Sequence, residues 1–327
     1  MWAELNALIA RNRGNPDAYA VFDFDNTTAI GDISNVCQWR MLETLAFKAD
    51  FAAALKSGIP AGYHSRVDAM ARLLPGLRPL KESARVETEA WRALATGYWT
   101  LYHDLLNECG TEVGYPWIGH LFAGYTSTEY QSFAKSAAQQ MLARKSGLWR
   151  VPHVPDRFPR GFALTPEARD LFRALRVAGI TPYIVSASNR ELVLGMLDPV
   201  FGLDVAPDCA FGYRLRQDAA GRYLPSYDES WTRPQAHGKV TIIRTQIAPR
   251  HQGAEPVLTA GDSMGDYNMF TEFPKLQAAL IYNRNPKSGP LADLIRNAPG
   301  DRPRLLVQGR DAASGCLIPS HRSQELL

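Results

Sequence analysis

Hydrophobic and polar positions divide the chain into three textures. The first is an amphipathic opening, "MWAELNALIARNRG", followed by an apolar run from Ala18 to Phe22. The second, from about Ile33 to Val154, contains little that reads as strand. Its stretches "NVCQWRMLETLAFKADFAAALKSG", "ESARVETEAWRALATGYWTLYHDLLNECG" and "TSTEYQSFAKSAAQQMLARKSG" read as helices separated by Pro and Gly clusters. The third alternates. "TPEARDLFRALRVAG" places Leu171 and Leu175 on one helical face with a stop at Gly179, "ITPYIVSAS" reads as a strand and "NRELVLGMLDPVFG" as a helix. "CAFGYRLRQDAAGRYLP" alternates around "DAAG" and predicts a hairpin. "GKVTIIRTQI" is then a helix, "PVLTAGDS" a strand, "DYNMFTEF" a helix start and "LQAALIYN" another strand.

Helices alternating with apolar strands predict an α/β fold with a Rossmann-like, doubly wound parallel sheet. The run ending at Phe22 belongs to that sheet. The helical middle is then an insertion between its first two strands. The expected division is a discontinuous core of residues 1–32 and 155–327 and a helical cap of residues 33–154. The tail "RLLVQGRDAASGCLIPSHRS" reads as a strand, a "DAASG" turn and a second strand, extending the sheet edge or covering a neighbouring subunit.

Composition narrows the function classes. At 327 residues, with 46% hydrophobic and 21% charged positions, the chain has the profile of a globular protein larger than one small domain. A formal charge of +3 calls for neither nucleic acid nor an acidic membrane surface. No apolar run approaches the roughly 20 residues of a membrane helix. Cys37, Cys109, Cys209 and Cys316 lack CxxC spacing and read as reduced thiols, which suits a cytoplasmic protein. A periplasmic chain with its signal removed would look the same. His64, His103, His120 and His153 show no metal-ligand spacing.

The chemistry gathers at strand ends, where ligands of such sheets bind. "VFDFDNTT" ends in Asp23 and Asp25, "YIVSASN" in Ser186, and "VLTAGDSMGD" in Asp262 and Asp266, while "HGKV" presents Lys239 just inside a helix start. Asp23 and Asp25, two residues apart, are expected on one face of the strand, where crowded carboxylates call for a cation or a shared proton. Taken singly, each of these residues also reads as an ordinary turn acid, strand cap or surface lysine. Together, and in this chain order, they form a constellation.

The set "DFDNT", Ser186, Lys239 and "GDSMGD" resembles the four motifs of the haloacid dehalogenase superfamily of phosphohydrolases, over about residues 18 to 30 and 160 to 285. A helical insertion directly after the first motif is similar to the cap class shared by phosphoserine phosphatases. "DNTT" with Asp32, "YPWIGHLFAGYT" and the tail "LLVQGRDAASGCLIPS" look closer to bacterial phosphorylcholine phosphatases. The resemblance implies Asp23 as a nucleophile forming an aspartyl-phosphate and Asp25 as the acid and base. It further implies Thr27, Ser186 and Lys239 as phosphate-binding residues. Mg²⁺ would be held by Asp23, the Asp25 backbone carbonyl and Asp262, with Asp266 behind them holding a coordinated water or Lys239.

The cap sets the substrate. Trp39, Trp91, Tyr98, Trp99, Tyr102 and Trp117 are among its many aromatics. Trp91, Tyr98 and Tyr102 at helical spacing read as core, and an aromatic cage for a quaternary ammonium is the sharper alternative. Glu43, Glu87 and Glu89 are the acids that would complete such a cage. Asp32 and Trp39 are the specificity candidates; Asp32 aligns with a substrate-reading glutamate of phosphoserine phosphatases, and their cap arginine has no clear counterpart. The expected partner is a small phosphorylated metabolite such as phosphorylcholine, with phosphoserine second. A phosphotransferase, a protein phosphatase and a non-catalytic phosphate sensor are the rival readings. The oligomeric state is not legible.

Overall fold

A computed structural model describes residues 1–142, 147–150, 157–160, 162–197, 203–297, 304–311 and 316–324. The chain forms two compact units. One comprises residues 1–32, 162–212 and 232–327, the other residues 33–161 and 213–231. Among the described residues no helix is long and apolar enough to cross a membrane.

The first unit is built on a six-stranded sheet. In chain order its strands are β1 (Tyr19–Phe22), β2 (Thr181–Asn189), β3 (Ala210–Tyr213), β4 (Leu258–Gly261), β5 (Ala278–Tyr282) and β6 (Arg304–Gln308). Their spatial order is β6-β5-β4-β1-β2-β3, with β6 through β2 paired in parallel. Every residue of β1, β4 and β5 is buried, as expected of a parallel sheet covered on both faces. The helix Pro166–Val177 supplies one cover. Thr165 caps it by accepting from the Ala168 N–H, and Ala168, Leu171, Phe172 and Leu175 turn inward, with the Phe172 ring 4.4 Å from that of Phe22.

Register sets the site. In the parallel ladders Phe22 lies opposite Ala260 on one side and Ile184 on the other. The residues following these positions, Asp23, Gly261–Asp262 and Val185–Ser186, therefore reach the same end of the sheet at one level. Of the two roles left open for the tail, the structure shows the sheet edge: β6 is the outermost strand beyond β5. Residues after it fold back, with the Gly309 N–H donating to Ser320 O and Asn283 Nδ2 donating to His321 O. Residues 312–315 of the expected "DAASG" turn, and His153, lie outside the described residues.

The second unit is chiefly helical, led by Ile33–Thr44, the 20-residue helix Glu89–Glu108 and Ser127–Leu142. Among its described residues it holds two antiparallel ribbons, of which only the first has no counterpart in the reading of the sequence. One pairs Gly147–Arg150 with Arg157–Arg160; the other pairs Leu215–Gln217 with Tyr223–Tyr227. The second ribbon is the hairpin expected from alternation, but its place differs from the expected core. The sequence "CAFGYRLRQDAAGRYLP" splits after its first strand: β3 joins the sheet, and residues 213–231 join the helices. The Tyr223 N–H donates to Tyr125 O, and its C=O accepts from the Gly124 N–H, so the hairpin finds backbone partners there. Alternation predicts a hairpin but carries no information about which surface it will cover.

Aromatic residues make this unit's core. Tyr98 stacks on Trp117 with centroids 5.0 Å apart, and Trp39 lies 5.4 Å from Trp99. His120 is buried here, which lowers its imidazole pKa to about 4 despite backbone hydrogen bonds with Ala54 and Ser57. An unfolded histidine takes up a proton near pH 6.5, well before the folded one does. The stabilisation from burying neutral His120 is therefore complete above pH 6.5 and is lost as pH falls toward 4, at up to about 1.4 kcal/mol per unit. Denaturant titrations at pH 7 and pH 5 are expected to show wild type losing more stability on acidification than His120→Gln. Equal losses would exclude His120 as the source.

Candidate active site

The site is assembled at the end of β1, β2 and β4. Asp23 immediately follows β1, and its N–H donates to Ala260 O at 2.9 Å, extending the ladder by one residue. The chain then leaves the extended path. Residues Phe24–Thr28 form a tight turn in which Asn26 adopts a left-handed conformation at φ 56°, and the Thr28 hydroxyl closes back onto Asp23 O at 2.7 Å. The expectation that Asp23 and Asp25 share one strand face is thereby corrected. Their carboxylates have different partners: Asp23 Oδ1 accepts from Lys239 Nζ at 2.7 Å, and Asp25 Oδ2 accepts from Ser188 Oγ at 2.6 Å. An asparagine in the left-handed region is the local device that turns the chain, since Asn tolerates that conformation better than most residues.

Lys239 is the hub. It sits in the first turn of His237–Ile242, is 2% exposed, and donates also to Asp266 Oδ1 at 2.6 Å. Burial alone would lower the lysine pKa, but the charges of Asp23 and then Asp266 outweigh it and hold the ammonium protonated. For Asp23 the balance runs the other way. Burial, and next the charge of Asp266, push its carboxyl well above the usual range against the pull of Lys239. Asp23 Oδ2 has no hydrogen-bond donor among the described residues.

Asp266 is fully buried and spends its second oxygen on the loop it terminates. Its Oδ2 accepts from the N–H groups of Asp262 and Ser263, both at 3.1 Å, and from Ser263 Oγ at 3.0 Å. It thus holds Lys239 with one oxygen and shapes the Asp262 loop with the other. Asp262 Oδ1 accepts from the Thr27 hydroxyl at 3.1 Å, and its Oδ2 from Arg284 Nη1 at 2.9 Å. Burial raises the Asp262 carboxyl, with Arg284 opposing. Ser186 is fully buried at the end region of β2; its Oγ accepts from the Ser188 N–H at 3.1 Å and donates to no group among the described residues.

Carboxylate oxygens of Asp23, Asp262 and Asp266 lie within 4.8 Å of one another. With Asp25 nearby in chain, and Lys239 and Arg284 as the cations bound to this cluster among the described residues, acidic charge is still in excess. That excess, together with an all-oxygen donor set, fits a hard divalent cation such as Mg²⁺.

Of the residues expected from sequence, Asp23, Thr27, Lys239, Asp262 and Asp266 join one hydrogen-bonded network, and Asp25 is held by Ser188. Asp32 acts at longer range. Arg284, whose pKa burial would lower, is instead raised by the charges of Asp262, then Asp32 and Asp23. Trp39 lies in the second unit, 5% exposed and packed near Trp91 and Trp99. Glu43, considered for a cation cage, is buried in an ion pair with Arg40, and Glu87 pairs with Arg92. Three residues were missed. Ser188, two positions after Ser186, shares the "SAS" phrase and was legible as a strand-end hydroxyl. Arg284 follows β5 in the same way that the acids follow β1 and β4. Arg310 carries no local signal, and only the fold brings it to Asn26 and Thr27.

Gly261 permits the close approach on which the hub depends. A Cβ added there would lie 2.5 Å from both Cβ and Cγ of Asp266. Gly261→Ala is expected to displace Asp266, costing roughly 1–3 kcal/mol of stability by overpacking. Turnover is expected to fall more steeply than the folded fraction, because Lys239 loses its second carboxylate. Thermal melts alongside phosphate release check this; an unchanged rate in a stable variant would separate Asp266 from the chemistry.

No family model matches the chain. A curated relative, the phosphorylcholine phosphatase of Pseudomonas aeruginosa, is 26% identical over 316 residues, covering 87% of this chain and 79% of the relative. A crystal structure of a protein of unknown function from Anaerococcus prevotii is similar with a TM-score of 0.87 and 24% identity, covering 99% of this chain and 96% of that one, which shows the shared fold. The parallel sheet, the acids, serine and lysine at its strand ends and the extended similarity to a phosphatase point the same way: the chain is similar to a phosphorylcholine phosphatase over most of its length and gathers at one sheet end the residues of the haloacid dehalogenase resemblance.

Proposed function

We propose that the protein hydrolyses the phosphomonoester of a small metabolite through an aspartyl-phosphate on Asp23, with phosphorylcholine or a related amino-alcohol phosphate as substrate. The observation that carries the mechanism is the Asp23 carboxylate, fixed through Oδ1 by the buried Lys239 and with no donor on Oδ2 among the described residues. The substrate class rests on the similarity to a phosphorylcholine phosphatase over 87% of the chain.

In this reading Asp23 Oδ2 attacks phosphorus in line with the ester oxygen. The P–O(alkyl) bond breaks as the O–P bond to Asp23 forms, and the proton of Asp25 passes to the departing alkoxide. Asp25 then takes a proton from water, which attacks the aspartyl-phosphate and releases phosphate. Lys239 offsets phosphoryl charge, and the unspent Ser186 proton is available to an equatorial oxygen. Thr27 orients Asp262 in the structure and lies on the same loop as Asp25. Asp23, Asp262 and the Asp25 carbonyl would hold Mg²⁺, which when bound offsets the excess acidic charge and polarises the phosphoryl group. Asp32, at the end of the first unit's opening segment, and Trp39, in the helical unit, are the residues proposed to read the leaving group.

Phosphate release over phosphorylcholine, phosphoethanolamine, phosphoserine, glycerol phosphate and sugar phosphates, with Mg²⁺ and then with EDTA, is expected to be metal-dependent and concentrated on phosphorylcholine. Turnover of another ester would keep the mechanism and discard the choline assignment. Silence on every ester, an aryl phosphate included, would favour a phosphate sensor. Asp23→Asn is expected to lower kcat by a factor on the order of 10⁴ or more with the fold retained. Comparable activity in that variant would overturn the nucleophile. Transfer of phosphate to an added alcohol in place of release would identify a phosphotransferase.

A further inference from the structure

Arg310 lies just beyond β6, 284 residues from the loop it contacts. It is 8% exposed, and its guanidinium donates from Nη1 to Asn26 O and from Nη2 to Thr27 O, both at 2.6 Å. Its cation lies 3.9 Å from the centre of the Tyr282 ring. Among the described residues no carboxylate pairs with it, so its charge is met by two carbonyl dipoles and an aromatic face. Those carbonyls belong to the turn that departs from the strand at Asn26, φ 56°, and that carries Asp25 immediately before them. A left-handed asparagine is a strained conformation that persists where its surroundings hold it.

Arg310 is itself fastened. Its N–H donates to Ser323 Oγ at 2.9 Å, its C=O accepts from the Gln324 N–H at 2.9 Å, and Asn285 Nδ2 donates to Ser323 O at 2.8 Å. The carboxyl-terminal strap therefore fixes a cation whose two prongs fix the turn after the nucleophile. A lysine at this position could not bridge two carbonyls in a plane.

We propose that Arg310 is a positioning residue for leaving-group protonation: it holds the turn that carries Asp25 and so sets where that acid meets the departing oxygen. The proposal rests on the reading of Asp25 as the proton donor. A misplaced acid lowers kcat/KM, which reports transfer to Asp23, for esters whose leaving group must be protonated and spares it for an aryl phosphate, whose stabilised phenolate departs without a proton; any slowing of aspartyl-phosphate hydrolysis is common to both. Loss of folded protein penalises both equally.

The test compares glycerol phosphate and phosphorylcholine with 4-nitrophenyl phosphate for wild type, Arg310→Lys, Arg310→Gln and Asp25→Asn, with circular dichroism and melts recording the fold. For both Arg310 variants kcat/KM on the alkyl esters is expected to fall about 10- to 100-fold. On the aryl ester the fall should be under about 3-fold, with little change in KM and no rescue by lysine. A changed ratio in Asp25→Asn with an unchanged ratio in the Arg310 variants overturns the proposal alone. An unchanged ratio in Asp25→Asn overturns the acid assignment, and the proposal falls with it. Should both Arg310 variants fail to fold, Ser323→Ala, which loosens Arg310 without removing it, is expected to shift the ratio in the same direction, and an unchanged ratio there overturns the proposal.

Discussion

The site depends on one buried ammonium shared by two buried carboxylates. Lys239, Asp23 and Asp266 are almost wholly removed from water, and desolvating an unpaired charge costs several kcal/mol. None of the three is tolerable there without the others. Their geometry in turn requires a parallel register that ends β1 and β4 at one level, a helix beginning at His237, and a glycine at 261 where Asp266 packs against the backbone. Removing one partner leaves an uncompensated charge, which explains why so much of the local structure serves this single contact. The acids still outweigh the lysine. A cation and a phosphoryl group are opposite charges that such a cluster can accommodate together, and it is this imbalance that makes the arrangement suited to phosphate chemistry.

Around the hub, the turn after Asp23 converts a strand end into two differently placed acids. Asp23 faces the lysine, and Asp25 is drawn to the Ser188 hydroxyl on the adjacent strand. Separating them lessens the mutual repulsion that two ionised carboxylates on one strand face would feel. One is left beside a fixed positive charge and the other beside a hydroxyl. The proposed nucleophile and proton donor ask for different surroundings. The backbone that achieves it is held at both ends, by Thr28 on Asp23 O and by Arg310 on the carbonyls of Asn26 and Thr27.

The second unit follows another logic. Its aromatic side chains interlock, with Tyr98, Trp99 and Trp117 fully buried, so most of the aromatic residues described in this unit serve packing. The helical spacing of Trp91, Tyr98 and Tyr102 already favoured a core over a ligand cage, and the burial of Tyr98 and Tyr102 agrees with it. Glu43, which composition alone would offer as a cage acid, is neutralised by Arg40.

Apolar runs ending in Asp23, Ser186 and Asp262 determined the parallel sheet and much of its chemical edge from sequence alone, because strand burial and strand-end polarity are local, periodic properties of the chain. Lys239 and Asp266 were legible for the same reason, each lying within a few residues of a recognisable element boundary. Contacts between distant segments were not. That the hairpin of residues 213–231 leaves the sheet for the helices, and that Asp25 turns away from Asp23, depends on partners such as Tyr125 and Ser188 that no local pattern announces. Arg310 is the clearest case. An isolated arginine in a tail has no periodicity to read, and only closure of the sheet edge brings its guanidinium across 284 residues of chain to the turn after Asp23.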